Sequence, residues 1–413
     1  MKNSNISWQK SKEVILNGNS LFSKNPENYS NEWPAYFEKA KGCHIWSLDK
    51  RKFTDFSYMG IGTNILGYSN SEIDDYVKKI ITKGTMSTLN CIEEVKLSEK
   101  LIEMHKWSSM CKFTRSGAEA SAVAIRIGRI YSEKNKVAIC GYHGWHDWYL
   151  SVNLNGKKDL DTHLLKNLNV DGVDKNLKNS SVAFKYNDLD SFKEMVKNNK
   201  DIGVVIMEVE RFEAVDKEFL IYIRQYTRKN KITLIFDECT SGFRQTFGGL
   251  HLKYKIDPDI CILGKALGNG YPINAVIGVK DVMNSAKKSF ISSTFWSDRI
   301  GPAAALKTIE VMQRENSWVR LVELGNFFKT KFKSLLIKYD IKGDVIGNGS
   351  LLQLKLNNMN DFEFKKLIAS EMLRYNILAS NVIYLSTAHH EKLLERYFQK
   401  LDKILSKYKK KLT

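Results

Sequence analysis

The stretch LIFDECTSGFRQTFGGLHLKYKIDPDICILGKALGNGYP, residues 234–272, places charged residues directly after two short apolar runs. The run 232–236 leads into Asp237, and the run Ile260–Leu263 leads, after one glycine, into Lys265. Runs this short and this apolar are typical of buried parallel strands. Open α/β sheets bind ligands at the carboxyl ends of their strands. The stretch therefore predicts an α/β fold with Asp237 and Lys265 in its site.

A lysine and an acid that are buried together suit one kind of cofactor. A buried lysine is unfavourable unless its charge is paired or removed, and a Schiff base with an aldehyde cofactor uses such an amine directly. A buried carboxylate keeps a pyridinium nitrogen protonated. The pair therefore indicates pyridoxal 5'-phosphate, with Lys265 and Asp237 as catalytic residues. Taken singly, Asp237 would also suit a helix N-cap and Lys265 a solvated strand end.

The same stretch resembles the class III aminotransferases, and within them the glutamate-1-semialdehyde aminomutases. Members carry a D-E-x-x-[TS]-G-F-R segment followed by G-K-x-x-G-[GN]-G-x-P, and residues 237–244 and 264–272 match these motifs. The similarity extends from about Trp33 to the C-terminal helix. It implies a fold-type I transferase, which has a large domain with a mostly parallel seven-stranded sheet flanked by helices, plus a smaller α+β domain.

The resemblance also implies a division of the 413 residues into three segments. Residues 1–60 are expected to contribute to the small domain, residues 61–300 to form the large cofactor-binding domain, and residues 301–413 to complete the small domain. A chain of this length can bury one large core, and no repeat or low-complexity linker interrupts it.

A small-residue turn is the candidate site for the cofactor phosphate. Residues 115–120, RSGAEA, follow a predicted strand, Met110–Thr114, and open a predicted helix. Backbone N–H groups at a helix start can bind an anion, and the segment is similar to the family's S-G-T-E-A turn. Ser116, Gly117 and Ala118 are therefore assigned to the phosphate, although Ala118 lacks the hydroxyl of the family's threonine.

An aromatic and an acidic residue follow two further apolar runs. Tyr142 matches the family's Y-H-G and is assigned to stack on the cofactor ring. His143 beside it suits a proton relay or a positioning or core histidine equally well. Glu208 is assigned to the cofactor pocket, although the family's Glu-Pro is Glu208-Val209 in this chain.

The segment SSTFWSDR, residues 292–299, loosely matches the family's G-T-[LF]-S-G-N-P. In the family its threonine reaches the cofactor phosphate across a dimer interface. Thr294 is therefore a cofactor-binding candidate, and a homodimer with shared sites is implied. Asp298 and Arg299 replace the usual residues, which indicates altered substrate contacts or an exposed ion pair. Residues 151–180 are polar and form a candidate lid.

The resemblance implies transfer of an amino group between an amine donor and a carbonyl acceptor. Residues 21–26 lack the aminomutase pattern S-P-V-R, and residues 378–389 lack its glutamate. An aminotransferase is therefore favoured, with glutamate-1-semialdehyde 2,1-aminomutase as the alternative. Family analogy suggests a small aldehyde or keto acceptor related to the sugars of surface polysaccharides. A non-catalytic binding protein on the same fold is the remote alternative.

Composition argues against other classes of protein. No apolar run approaches the roughly 20 residues that span a bilayer, and no export signal is recognisable, so a cytoplasmic protein without a membrane partner is expected. The six cysteines are scattered without CxxC pairs, and no metal is expected. The net charge of +18 comes mostly from dispersed lysines without the aromatic-rich motifs of RNA-binding proteins. No nucleic-acid partner is expected.

Overall fold

The computed structural model describes residues 2–156 and 158–412. Its strands are β1 (Phe37–Lys41), β2 (His44–Ser47), β3 (Lys52–Phe56), β4 (Met110–Thr114), β5 (Lys136–Cys140), β6 (Ser181–Ala183), β7 (Ile202–Met207), β8 (Thr233–Glu238), β9 (Ile260–Leu263), β10 (Asn274–Gly278), β11 (Gly343–Asn348), β12 (Leu351–Leu356), β13 (Ile377–Ala379) and β14 (Val382–Tyr384).

The helices alternate with the strands through the middle of the chain. They are α1 (Lys2–Val14), α2 (Met59–Gly62), α3 (Ser71–Ile81), α4 (Ile92–Met104), α5 (Gly117–Ser132), α6 (Asp147–Leu150), α7 (Leu189–Asn198), α8 (Lys217–Lys229), α9 (His251–Tyr254), α10 (Lys280–Asn284), α11 (Ile300–Glu315), α12 (Ser317–Tyr339), α13 (Asp361–Leu373) and α14 (Glu391–Leu412). None of the described helices is both long and apolar enough to cross a membrane.

The described chain divides into two compact units. One is Asp75–Val311, and the other combines the described parts of Met1–Asp74 and Met312–Thr413. The domain boundaries at residues 60 and 300 remain a prediction.

The unit of residues 75–311 is built on a seven-stranded sheet in the order β4-β10-β9-β8-β7-β5-β6. β10 runs antiparallel to both of its neighbours, whereas the pairs from β9 to β6 are parallel. Six strands therefore share one direction. The predicted fold class, with its mostly parallel seven-stranded sheet, is confirmed.

Helices cover both faces of this sheet. Side chains alternate along a strand, so in β7 Val204 and Ile206 share one core cluster with residues of α5, while Val205 and Met207 share another with residues of α7 and α8. A parallel sheet has no solvated face, which explains why its strands are continuous apolar runs.

β8 extends two residues beyond the apolar run that predicts it. The backbones of Asp237 and Glu238 pair with Ile262 and Leu263 of β9, so both acids belong to the strand. Because neighbouring residues in a strand point to opposite faces, these two carboxylates have different surroundings.

The other unit contains two small sheets. Their orders are β1-β2-β3-β13, in which β13 is parallel to β3, and β11-β12-β14, which is antiparallel. Its main core joins helices α12 and α14 to β12 through residues such as Phe328, Tyr397 and Leu352. This unit is the smaller α+β part that the resemblance implies.

Candidate active site

Five parallel strands of the seven-stranded sheet bring polar residues to the same edge. In chain order these are Ser116 after β4, Tyr142 and His143 after β5, Glu208 after β7, Asp237 in β8 and Lys265 after β9. The carboxyl ends of parallel strands lie side by side. The sheet thus assembles residues that are far apart in sequence.

Lys265 is the first residue of a 3-10 helix that follows β9. Its φ of 43° lies in the left-handed region, which an L-residue adopts at an energetic cost. The side-chain amine donates a hydrogen bond to Thr240 Oγ1 at 2.7 Å. Burial lowers the pKa of this amine from its usual 10.5 to about 8. A large fraction of Lys265 is therefore neutral and nucleophilic near pH 8.

Asp237 is only 6% exposed, and both of its carboxylate oxygens have a partner. Oδ1 accepts the N–H of Cys239 at 3.1 Å, and Oδ2 lies 2.7 Å from Nδ1 of His143. Facing a carboxylate, Nδ1 of His143 carries the proton and donates it. Asp237 is thus a buried carboxyl group near the end of β8, held by a backbone amide and by a histidine ring.

Glu238 has a structural role. Its Oε1 accepts the backbone N–H and the Nδ1–H of His251 at 2.9 and 2.6 Å, and Ser241 Oγ and the N–H of Leu250 donate to its other oxygen. Nε2 of His251 in turn accepts the indole N–H of Trp107 at 2.8 Å. The second acid of the Asp-Glu motif therefore anchors the chain that follows β8.

A capping box closes the N-terminus of α5. Ser116 Oγ accepts the N–H of Glu119, whose carboxylate accepts the N–H groups of Arg115 and Ser116 at 3.0 and 2.8 Å. Amides in the first turn of a helix lack intrahelical acceptors, and Gly117 and Ala118 carry two such amides. The hydroxyl of Ser116 accepts in the capping box, and its hydrogen can still be donated to a ligand. Together with the positive end of the helix dipole, these groups suit a phosphate.

Glycines let two turns at this edge approach each other. A Cβ at Gly117 would lie 3.0 Å from Sγ of Cys239, and a Cβ at Gly264 would lie 1.9 Å from Oδ1 of Asn274. The thiol of Cys239 donates to that same oxygen at 3.5 Å. The Cys239 side chain therefore fills the space between the turn before α5 and the turn that carries Lys265.

Glu208 orients the turn that carries Tyr142. The N–H of Tyr142 donates to Glu208 Oε2 at 3.1 Å, and Nε of Arg211 donates to Oε1 at 3.0 Å. The partly buried ring of Tyr142 meets Tyr149 edge-on, with centroids 5.9 Å apart, and burial raises the pKa of its phenol. The carboxylate of Glu208 is thus shared between the Tyr142 turn and an arginine.

Thr294 is exposed and begins a 3-10 helix. It lines an open groove together with residues of α4 and β4. Within the described residues no hydrogen bond joins it to Ser116 or Lys265. Apolar side chains on the segments that form the groove are more than half exposed, namely Leu89, Ile92, Val95 and Phe295. Such a surface is typical of one that a protein partner covers.

Asp298 and Arg299 do not form an ion pair with each other. Asp298 accepts from Nε of Arg115 at 2.7 Å, whereas Arg299 donates from Nε and Nη2 to Glu93 at 2.9 and 2.8 Å. Arg115 also donates to the carbonyl of Trp296 at 2.9 Å. These contacts attach the segment 292–299 to the turn before α5 and to α4.

Three further residues at this edge of the sheet are not predicted from the sequence as part of the site. Thr240 lies inside the Asp-Glu motif, and Arg211 follows Glu208 by three positions, a spacing that could have indicated the ion pair. His163 accepts the N–H of Gly141 at 3.2 Å from 22 positions away. No local pattern indicates a contact of that kind.

His163 belongs to the segment 151–180, the candidate lid. This segment contributes Val152 and Leu160 to the core cluster that contains α5, and Ser151 Oγ lies 3.2 Å from Ser180 Oγ. Lys157 lies outside the described residues. A closing movement of the segment remains a prediction.

Comparison with known proteins agrees with this geometry. The family model "Aminotransferase class-III" matches residues 26–396. The chain belongs to the class III aminotransferases. It is therefore an enzyme of the aminotransferase or aminomutase type, and the family indicates pyridoxal phosphate as its cofactor.

Relatives of both types are similar over nearly their whole length. The chain is 28% identical to the 3-aminobutyryl-CoA aminotransferase of Cloacimonas acidaminovorans, covering 94% of this chain and 91% of the relative. It is 30% identical to the glutamate-1-semialdehyde 2,1-aminomutase of Nitrosopumilus maritimus, with coverage of 96% and 97%. Its fold is similar to that of the FumI protein of Sphingopyxis sp. MTA144, with a TM-score of 0.88, 21% identity and coverage of 99% and 97%.

The residues at the sheet edge fit the cofactor of the family. A buried amine with a lowered pKa, Lys265, lies after one strand, and a buried carboxylate, Asp237, ends its neighbour. Tyr142 supplies an aromatic ring, and the start of α5 at Ser116 supplies donors for a phosphate. The aldehyde, the pyridine ring and the phosphate of pyridoxal phosphate therefore each find a protein group of suitable chemistry at this edge of the sheet.

Proposed function

We propose that this class III enzyme is a pyridoxal-phosphate-dependent aminotransferase that moves an amino group between an amine donor and a small aldehyde or keto acceptor. The observation that carries the proposal is the pair of Lys265 and Asp237, which lie at the ends of neighbouring strands with the amine's pKa lowered and the acid buried. Burying two ionisable groups is unfavourable. A cofactor that uses both groups accounts for the arrangement.

Each part of the cofactor has residues that would hold it. Ser116 and the amides of Gly117 and Ala118 would bind the phosphate, and Asp237 would pair with the ring nitrogen. Tyr142 would cover a face of the ring. Glu208 supports this arrangement because its carboxylate holds the Tyr142 amide at 3.1 Å.

When bound, the cofactor supplies an electron sink for the carbon that carries the amino group. Lys265 would hold the cofactor through its amine, and Nζ, when not bound to the cofactor, would serve as the base and acid that takes a proton from the substrate carbon and returns it. Thr240 Oγ1, 2.7 Å from Nζ, orients the amine for this task. A pKa of about 8 lets the amine exchange protons near neutral pH.

The identity of the acceptor separates two candidates. A small acceptor related to the sugars of surface polysaccharides is suggested by family analogy. Glutamate-1-semialdehyde 2,1-aminomutase is the second candidate, supported by a relative of that name at 30% identity. Against it stands the absence of the S-P-V-R pattern in residues 21–26 and of the glutamate in residues 378–389. An aminomutase needs one substrate, whereas an aminotransferase needs two.

We also propose that the enzyme is a homodimer with shared sites. In this arrangement the partner subunit's Thr294 would add its hydroxyl to the phosphate site of the first subunit. The exposed groove beside Thr294 and the exposed apolar side chains of Leu89 and Phe295 support a covered surface there. Because the family places a threonine at a dimer interface, a second copy of this chain is the expected partner.

The absorption spectrum of the loaded protein tests the proposed function. Candidate amines are added one at a time, followed by candidate aldehydes and keto acids. An aminotransferase loses its visible band with one amine and recovers it with a carbonyl substrate. Conversion of glutamate-1-semialdehyde without a second substrate would instead establish the aminomutase. A protein that stays colourless with added pyridoxal phosphate would contradict both.

A further inference from the structure

The two ends of the candidate cofactor site are carried by strands that are not neighbours. The turn at Gly117 follows β4 and Lys265 follows β9, while β10 lies between these two strands. Adjacent strands are about 4.8 Å apart, so the ends of β4 and β9 are about 10 Å apart. Because β10 is antiparallel to both, its first residue, Asn274, lies at this same edge. A gap one strand wide therefore separates the two turns, and the side chains within it set how closely the turns approach.

The side chain of Cys239 lies in this gap. Its Sγ would be 3.0 Å from a Cβ at Gly117 and 2.8 Å from a Cβ at Gly264, the residue before Lys265. The thiol also donates to Oδ1 of Asn274 at 3.5 Å. Burial raises the pKa of this thiol to about 11, so it keeps its proton near pH 7. One sulfur atom thus lies close to both turns and to the first residue of β10.

Close packing, and not backbone conformation, explains the glycines on either side of the thiol. Gly264 has an extended backbone with φ at −163°, and Gly117 is the first residue of a helix. A Cβ at Gly264 would nevertheless lie 1.9 Å from Oδ1 of Asn274 as well as 2.8 Å from Sγ of Cys239. Where atoms are packed this closely, a change in side-chain volume moves the surrounding backbone. The size of the Cys239 side chain therefore determines the spacing of the two turns.

We propose that Cys239 is a positioning residue that sets the distance between Lys265 and the turn at Ser116, so that one ligand with an aldehyde and a phosphate can bind to both. A two-ended ligand binds more tightly than its separate halves only when both ends are reached at once. The backbone N–H of Cys239 also donates to Asp237 Oδ1 at 3.1 Å. The same residue thus fixes the buried acid relative to the two turns.

This role deepens the proposed function and rests on it only for the identity of the ligand. Three ligands separate the two halves of the site from their spacing. Pyridoxal phosphate needs both turns, pyridoxal needs Lys265 without the phosphate turn, and inorganic phosphate needs only the turn at Ser116. Visible absorption measures the affinity of the cofactor-free protein for the two aldehydes, after subtraction of the signal of Lys265→Ala. Calorimetry measures the affinity for inorganic phosphate.

Cys239→Leu enlarges the side chain between the two turns. We expect its affinity for pyridoxal phosphate to fall by at least about tenfold, because both ends are no longer reached at once. Pyridoxal and inorganic phosphate should bind to this variant as they do to the wild type. Cys239→Ser keeps a small side chain with a hydrogen-bond donor and should retain most of the affinity. A general loss of structure would instead lower all three affinities together.

Cys261→Leu is the matched control, because Cys261 is a buried cysteine in the middle of β9 and does not lie between the turns. Its enlargement should lower stability without changing the ratio of the affinities for pyridoxal phosphate and pyridoxal. If Cys239→Leu fails to fold, Cys239→Ala takes its place. Removal of Sγ leaves the spacing of the turns unfixed, and this variant should also lose more affinity for pyridoxal phosphate than for pyridoxal.

The proposal is overturned if Cys239→Leu, or Cys239→Ala in its place, binds pyridoxal phosphate as tightly as the wild type, or if pyridoxal loses as much affinity as pyridoxal phosphate. An equal change of the ratio in Cys261→Leu would also overturn it. If the wild type transfers no amino group but these affinities change as expected, the proposed function fails and the inference stands. If amino transfer is present and the ratio does not change, the inference fails and the proposed function stands.

Discussion

Lys265 occupies a position that opposes folding in two ways. Its backbone is left-handed, with φ at 43°, and its amine is buried with its pKa lowered. Features of this kind persist at functional sites because the surrounding structure holds them in place. The cofactor-free protein should therefore become more stable when Lys265 is replaced by a neutral residue.

Lys265→Met should stabilise the cofactor-free protein in a pH-dependent way. The amine has a pKa of about 8 in the folded chain and 10.5 as its usual value, so the unfolded chain binds more protons between these two values. The penalty is complete below about pH 8 and disappears as the pH rises toward 10.5. The gain should be at most about 3 kcal/mol near pH 7.

Urea unfolding of both proteins near pH 7 and near pH 10.5 measures this difference. Lys287→Met is the matched control, because Lys287 is exposed and its replacement should leave no pH-dependent difference. A gain for Lys265→Met that is the same at both pH values would show that the charge of the amine is not its source.

At the scale of elements, the start of α5 has two tasks. The Ser116 hydroxyl caps the helix by accepting the N–H of Glu119, and its hydrogen is proposed to reach the cofactor phosphate. A second helix offers a comparison, since α13 is capped by Asn360, whose side chain accepts the N–H of Glu363. The two caps differ in their proposed contact with the cofactor.

Ser116→Ala should lower both stability and cofactor affinity. Loss of the cap costs about 1 kcal/mol, and loss of one hydrogen bond to a charged phosphate should weaken binding by about tenfold. Asn360→Ala should cost a similar amount of stability without changing affinity. Urea unfolding and a fluorescence titration with pyridoxal phosphate measure the two effects. If Ser116→Ala bound pyridoxal phosphate as tightly as the wild type, Ser116 would cap the helix without contacting the cofactor.

The elements around the site could largely be predicted from local pattern. The apolar runs before Asp237 and Lys265 become β8 and β9, and the small-residue turn at Ser116 opens α5 as expected. These predictions succeed because a buried parallel strand needs an unbroken apolar run, and because polar residues can follow it only at its end.

Long-range contacts could not be predicted in this way. Glu238 looks as suitable for catalysis as Asp237, yet strand alternation points it toward His251 and away from the site. His163 comes from a polar segment that resembles a loop. The antiparallel direction of β10 could not be predicted either, because an apolar run looks the same whether its strand pairs in a parallel or an antiparallel way. Such features depend on which elements become neighbours.

At the scale of the whole molecule, the proposed dimer can be tested by subunit complementation. A dimer that combines a Lys265→Ala subunit with a Thr294→Val subunit contains one site with both changes and one site with neither, if sites are shared. Such a heterodimer, isolated through two affinity tags, should show about half the wild-type activity. Both parent homodimers should be impaired when the cofactor is limiting.

Sites built from a single subunit give a different result. Each subunit of the heterodimer would then carry one change, and its activity would not exceed half that of the Thr294→Val homodimer. A chain that remains monomeric at working concentration would contradict the proposed dimer directly.

The attachment point of the cofactor tests the central claim most directly. The loaded protein is reduced with borohydride, digested and mapped by mass spectrometry, with Lys265→Ala as the comparison. We predict a phosphopyridoxyl group on the peptide that contains Lys265, and neither this label nor the visible band in the variant. A label on another lysine, or an unchanged band in Lys265→Ala, would contradict the account of the site.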